Sequence, residues 1–338
     1  MTELSEHIHA LLAKRAGRRV GLVVAVRVGR ETGFWHRGAL PDGPSSIFEI
    51  GSITKTFTAT LLADLVQDGV VAFGDPVQRY LPEGARLPLR GREITLEDLA
   101  SHRSGLPGLP KGLLLPALTR DRRDPYAQVD DTRLADAVSA TRPRREPGGK
   151  VAYSNYGMGL LGHVLALRVG TSYERLVRSR ICEPVGLVDT WIDVPERDRG
   201  RVATGHTWRG RPTSPWHLAA LAGAGGLRST AADLLTFLDL HTDRSQSPRL
   251  AAAAAETARP RSPWGSAEIG LGWLMIPPGG RLPWRRRRSR ALFHEGGTGG
   301  FRSFAGVVPE RGACVVVLAS QARSAGRLGL RVLDALAR

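Results

Sequence analysis

The sequence predicts an α/β protein in which strands from both chain ends share one sheet and the middle of the chain forms a helical, loop-rich lobe. Three observations carry this. A β-branched apolar run lies near the start (Gly21-Leu-Val-Val-Ala-Val-Arg-Val28), and four short apolar runs lie between 271 and 318. Segments of helical period separated by Pro-, Gly-, Arg- and Asp-rich stretches fill the space between them. A chain of 338 residues, 42% hydrophobic and 24% charged, can bury a large core, which excludes disordered and fibrous classes.

Each element follows in order. Residues 1–14 alternate charged and apolar side chains at helical spacing. Segments 20–28 and 33–40 read as a hairpin with Gly29–Gly33 as its turn. Ser52 to Gln67 reads as one helix, with Phe57, Leu61, Leu62, Leu65 and Val66 apolar and Gly69 at its stop. Residues 103–150 read as loops with short helical pieces. Asn155–Val169, Ala231–Leu240 and the alanine run Ala251–Ala255 read as helices. The stretches 271–276, 290–294, 303–308 and 313–318 are expected as successive strands, followed by a helix over 324–337. The whole chain is expected to form one catalytic domain, with an α/β part at about 1–75 and 260–338 and a helical part at about 76–259.

The formal charge of +16 comes almost wholly from arginines scattered along the chain, since lysine stands only at 14, 55, 111 and 150. That scatter reads as coding bias, not as the one-faced basic footprint of a nucleic-acid binder. One cluster, Trp284-Arg-Arg-Arg-Arg-Ser-Arg290, reads as a solvated loop, with an anionic partner as the other reading. Cys182 and Cys314 sit in apolar runs and are expected as free buried thiols. The opening residues lack a basic stretch followed by an apolar one, and no run is long enough to span a bilayer, so a cytoplasmic setting without membrane partner is expected. His7 and His9 have no ligand partner at metal spacing, so neither a metal nor another cofactor is expected.

The chemistry-bearing segment is Phe48-Glu-Ile-Gly-Ser52-Ile-Thr-Lys55-Thr-Phe57. A serine and a lysine three apart at a helix start share one face. Burial and the positive helix end both lower the lysine pKa, and a base near neutrality needs a fall from ~10.4 to roughly 7–8, about 4 kcal/mol. A neutral Lys55 would take the Ser52 proton. A capping serine with a lysine reaching solvent is the other reading of these residues alone. Tyr153-Ser154-Asn155 opens a second apolar helix. Phe293-His294-Glu-Gly-Gly-Thr-Gly-Gly-Phe301 ends a strand in glycines that permit close backbone approach. No Gly-Lys-Ser/Thr follows, which argues against a phosphate cradle.

Together these segments resemble the serine β-lactamase and penicillin-binding-protein family, in its class C β-lactamase and esterase branch, through Ser-x-x-Lys, Tyr-x-Asn and a His-x-Gly counterpart of the Lys-Thr-Gly strand motif. Further likeness lies in Ile94-Thr-Leu-Glu-Asp-Leu-Ala-Ser-His-Arg-Ser-Gly-Leu-Pro107, Asp75-Pro-Val-Gln-Arg-Tyr-Leu-Pro82 and Gly225-Gly-Leu-Arg-Ser-Thr230. The resemblance implies an antiparallel sheet flanked by helices, with the site between sheet and lobe. It implies Ser52 as the acylated nucleophile, Lys55 as its base or relay, and Tyr153 as the proton shuttle to the leaving group. Asn155 would hold Lys55 and the substrate carbonyl. The N–H groups of Ser52 and of Gly297, which follows His294-Glu-Gly296, would form an oxyanion hole worth roughly 3–4 kcal/mol per donor.

His294 stands where the β-lactamases and transpeptidases of this family carry a lysine for the substrate carboxylate. A neutral imidazole does not replace that charge. The expected activity is therefore an esterase or amidase acting on a small acyl compound, with a β-lactamase or D-Ala-D-Ala carboxypeptidase less favoured. The alternative is an acyltransferase or peptide-cyclising thioesterase, for which the 285–290 arginines would dock an acyl carrier protein. His102 is expected as a structural hydrogen-bonder, and Trp216, Trp264, Trp273 and Trp284 as packing or as an acyl pocket.

Overall fold

The computed structural model describes residues 5, 6, 8–10, 20–110, 124–279, 281, 282, 285, 286, 289–323 and 325–337. His7, Lys14, Lys111, Trp284, Arg287 and Arg288 lie outside the described residues. Residues 5, 6 and 8–10 are helical, in line with the expected opening helix.

Strands β1 (Leu22–Val28) and β2 (Glu31–Arg37) form the expected hairpin, but on a two-residue turn. Gly29 takes φ 53° there, and this conformation matches the right-handed strand twist, so the second strand begins at Glu31 and not at 33. The short strand β3 (Phe48–Glu49) leads to helix α1 (Thr54–Gln67), after a 3-10 turn at Gly51–Ile53. The lobe then supplies α2 (Leu96–Ala100), α3 (Asp131–Ala140), α4 (Asn155–Val169) and α5 (Tyr173–Val177). Strand β4 (Arg228–Ser229) pairs with β3. It is followed by α6 (Ala231–Leu238), which a 3-10 turn prolongs to His241, and by α7 (Pro248–Thr257).

The chain returns to sheet through β5 (Ser262–Trp264), β6 (Ala267–Ile269), β7 (Leu274–Ile276), the small hairpin β8 (Arg281–Leu282) and β9 (Arg285–Arg286), β10 (Ala291–Gly297), β11 (Arg302–Val308) and β12 (Ala313–Ala319). Helix α8 (Gly326–Leu336) ends it. The expectation of a plain loop over the arginine cluster is thus corrected, because the backbone of Arg285–Arg286 is paired.

The main sheet is antiparallel throughout, in the order β2-β1-β12-β11-β10-β7-β6-β5. Strands from both chain ends meet in it, Val24 facing Val317. Period-two alternation sends Val23, Ala25, Val316 and Leu318 into the core shared with α1 and the lobe, and Val24, Val26, Val315 and Val317 into the core beneath α8. Both faces being covered explains why β12 reads as an unbroken apolar run and β1 as one broken only by Arg27 near its end.

Helix α1 lies in the middle of the larger core, buried from Thr54 through Leu65. Its threonines tolerate this because their hydroxyls bond backwards along the helix, Thr58 to the carbonyl of Thr54 (3.2 Å) and Thr60 to that of Thr56 (2.9 Å). Asp64 at its far end is paired with Arg180 (2.7 Å) and Arg249 (2.6 Å). Cys182 and Cys314 are free and buried, as expected, and burial pushes the Cys182 thiol up to about 12. Among the described residues no helix is long and apolar enough to cross a membrane.

Candidate active site

The nucleophile turn is built by backbone crowding. Gly51 takes φ 50° beside the end of β10, where an added Cβ would lie 2.6 Å from the N of Gly297. This brings Ser52, at the entry of α1, next to the glycine-bearing strand. Lys55, one turn on, is fully buried, with Nζ 2.8 Å from the Oγ of Ser52 and donating to the carbonyl of Ala224 (2.6 Å). Desolvation holds its pKa well below the ordinary lysine value. A neutral amine that uses an N–H on Ala224 keeps a lone pair for the Ser52 proton. The reading of a lysine reaching solvent is thereby excluded.

Tyr153 and Asn155 flank Ser154, the N-cap of α4. Ser154 Oγ accepts from the N–H of Gly157 (2.9 Å) and donates to the carbonyl of Pro107 (2.6 Å), so its neighbours on both sides are fixed. The Tyr153 phenol interacts electrostatically with Ser52, and its ring centroid is 5.0 Å from Lys55 Nζ. The residue is 37% exposed, yet its surroundings desolvate the phenol and raise its pKa above the ordinary value, against the lowering effect of nearby Ser52. Asn155 departs from expectation. Its Nδ2 donates to the hydroxyl of Tyr126 (3.2 Å) and not towards Lys55, while its Oδ1 is buried with no partner among the described residues. The Lys55 amine instead hydrogen-bonds Ser52 and the carbonyl of Ala224.

On β10, longer than expected because the ladder continues to Gly297 opposite Arg302, the side chain of His294 is buried beside Tyr153 (ring centroids 6.2 Å apart). Its Nδ1 lies 2.7 Å from the carbonyl of Glu295, which only accepts, so Nδ1 carries the proton and Nε2 a lone pair. Burial, then the proximity of Lys55, pulls the His294 pKa down to about 3. Gly296 faces the nucleophile turn, and a Cβ there would lie 2.0 Å from the Ile50 oxygen and 2.2 Å from Ser303 Oγ, which itself donates to Ile50 (2.7 Å).

His102 and Tyr126 also stand at the site. The buried His102 ring packs on Tyr153 at 4.5 Å between centroids, and its Nδ1 accepts from the N–H of Ser154 (3.3 Å), so it is a hydrogen-bonder as expected but is within the site. Tyr126 had no sequence signal, since it lies isolated in the loop-rich stretch. It meets Trp216 edge to face at 6.2 Å. Trp273 is core packing against His241, and Trp264 lies on edge strand β5. Among the described residues no group of histidine, cysteine and carboxylates could hold a metal ion.

The arrangement brings together a serine hydroxyl, a buried amine in contact with it whose pKa burial holds low, and a phenol beside that amine, next to the glycine-bearing end of β10. Such a set can make and break an acyl-enzyme. The chain matches the Beta-lactamase family model over residues 4–338. It is 29% identical to a beta-lactamase of Pseudomonas fluorescens over 336 residues, covering 89% of this chain and 88% of that protein. It is 30% identical to the D-alanyl-D-alanine-carboxypeptidase/endopeptidase AmpH of Escherichia coli K12, covering 81% and 71% of the two. The class C beta lactamase structure from Rhodobacter sphaeroides superposes with a TM-score of 0.80 at 30% identity, over 99% of this chain and 98% of that one. The chain belongs to the beta-lactamase family and is a serine hydrolase of that family.

Proposed function

We propose that the protein is an esterase or amidase that acylates Ser52 with a small acyl group carrying no carboxylate beside the scissile bond. In this reading Lys55 takes the Ser52 proton as the hydroxyl attacks, and the N–H groups of Ser52 and Gly297 receive the developing oxyanion. Tyr153, kept protonated by its surroundings, gives a proton to the leaving group and is restored through Lys55. Asn155 and Tyr126 together face the acyl portion, the buried Oδ1 of Asn155 being free to accept from a substrate N–H.

The observation that supports the neutral substrate is His294. With its proton committed to the Glu295 carbonyl and its pKa near 3, it offers a lone pair where a carboxylate would need a cation. The second reading, a β-lactamase or D-alanyl peptide carboxypeptidase, is favoured by the names of the relatives just given. An acyltransferase, in which an acceptor replaces water, uses the same acyl-enzyme.

The test is intact-mass spectrometry after mixing with nitrophenyl esters, N-acetylcysteamine thioesters, a cephalosporin and D-alanyl-D-alanine peptides, beside Ser52→Ala. Adducts from neutral esters at rates well above those from the two carboxylate-bearing classes support the proposal. The reverse ranking overturns it in favour of the second reading, and adducts cleared only by an added amine or alcohol assign the transferase.

A further inference from the structure

Helix α2 ends in an unusual way. The N–H of Arg103 reaches the carbonyl of Asp98 (2.8 Å) and that of His102 the carbonyl of Leu99 (3.3 Å), the Schellman pattern, whose left-handed residue is normally glycine. Here it is His102, at φ 57°. A β-carbon in that conformation is disfavoured, so the side chain must return something that glycine would not.

What it returns lies against the reacting groups. Its ring stacks at a tilt of 39° on Tyr153, whose ring lies 5.0 Å from the Lys55 amine that contacts the nucleophile. The ring is fixed at one edge, because Nδ1 accepts from the backbone N–H of Ser154, the residue next to Tyr153, and this leaves the imidazole proton on Nε2. The backbone is held as well: Ala152 donates to the His102 carbonyl (2.8 Å), and Gly272 donates to Ala100 (2.9 Å). Gly272 abuts α1, where an added Cβ would lie 2.7 Å from the carbonyl of Lys55. One corner thus connects the tyrosine loop and the lysine helix.

We propose that His102 is a positioning residue for Tyr153, setting the ring plane from which its hydroxyl meets Ser52. It acts as a flat, uncharged platform with the opposite tautomer to His294, which stands near the other side of the same tyrosine. This rests on the acyl-enzyme reading above and assigns it a further residue.

The experiment is a double-mutant cycle with His102→Asn, since asparagine tolerates the left-handed backbone, and Tyr153→Phe, measured on an alkyl ester whose leaving group needs a proton. His102→Asn should lower kcat by roughly 10- to 100-fold with KM changed by less than about 3-fold, and should cost less than about 2-fold more when Tyr153→Phe is already present. Equal losses in both backgrounds, or a loss confined to KM, overturn the proposal. His102→Gly, which keeps the backbone, serves if the asparagine variant does not fold. Histidine 15N spectra give an independent arm. His102 should show the Nε2–H tautomer and its resonances should move in Tyr153→Phe, whereas unmoved resonances overturn the proposal. Failure of all esters to label wild-type Ser52 would instead remove the acyl-enzyme reading, and the spectra would still judge the His102–Tyr153 coupling.

Discussion

Gly296 of the glycine-bearing strand faces Ile50 of the nucleophile turn so closely that a methyl group on its α-carbon would lie 2.0 Å from the Ile50 carbonyl oxygen. The approach has no slack, because Ser303 Oγ donates to that same oxygen and a Cβ would meet it at 2.2 Å. Neighbouring Gly297 differs. An added Cβ there would meet the Arg302 side chain, 2.9 Å from Nη1, and this long side chain can shift if its bonds to the Thr298 and Phe301 carbonyls adjust, whereas the Ile50 backbone cannot.

Gly296→Ala should therefore displace the turn carrying Ser52, lowering the acylation rate by about 100-fold or more, and overpacking of this kind costs ~1–3 kcal/mol of stability. Gly297→Ala, which keeps its N–H, should stay within about 3-fold of wild type. Stopped-flow acylation and thermal melts of the two variants check the contrast; equal damage from both would show that the crowding at Ile50 is not what matters.

Ser52→Ala should abolish covalent labelling and lower turnover by about 10³-fold or more, with a melting temperature close to wild type. Retained adduct by intact mass would place the nucleophile elsewhere.

Tyr153→Phe removes the proton donor while leaving the ring. The loss in kcat should be about 10²- to 10⁴-fold for alkyl esters or amides and much smaller for nitrophenyl esters, whose leaving group departs without a proton. A leaving-group series measures this directly, and a loss independent of leaving-group basicity would assign Tyr153 another role.

Lys55 makes stability depend on pH in a defined direction. Its folded pKa is depressed by burial, so above that value the unfolded chain binds a proton that the folded one lacks. Stability then rises with pH, by up to ~1.4 kcal/mol per unit, and levels off near the unfolded value of ~10.4. Denaturant melts of wild type and Lys55→Met between pH 7 and 10 isolate this, since other groups cancel in the difference. Wild type should gain on the variant as pH rises; parallel curves would mean that Lys55 is charged in the fold.

His294→Lys should supply the missing cation. The ratio of kcat/KM for a cephalosporin or a D-alanyl peptide to that for a neutral ester should rise by about 10-fold or more. An unchanged ratio would show that carboxylate recognition does not depend on this position.

Much of this site was legible in the chain. The spacing of Ser52 and Lys55 implied one helical face, and the structure places both there, 2.8 Å apart. The residues around Lys55 leave both burial and reach to solvent open; packing of the helix in the larger core, with Lys55 fully buried, decides for burial. The glycines after Glu295 signalled close approach, though not that Ile50 was the backbone approached. The partner of Asn155 could not be anticipated, since Tyr126 lies in a loop whose path no periodicity reports. His102 reads only as a structural hydrogen-bonder for the same reason: its ring partner is Tyr153, fifty-one positions away, and nothing in the local sequence marks the contact.

Strand alternation, helix starts and the spacing that puts Ser52 and Lys55 one turn apart are local matters, set by residues within a few positions of one another, and the sequence by itself determined them. Which carbonyl occupies the amine of Lys55, which phenol Asn155 holds and which imidazole lies on Tyr153 depend on contacts between segments distant in the chain. Only packing of the lobe against the sheet decides those, because burial and proximity are properties of the assembled molecule and not of any stretch within it.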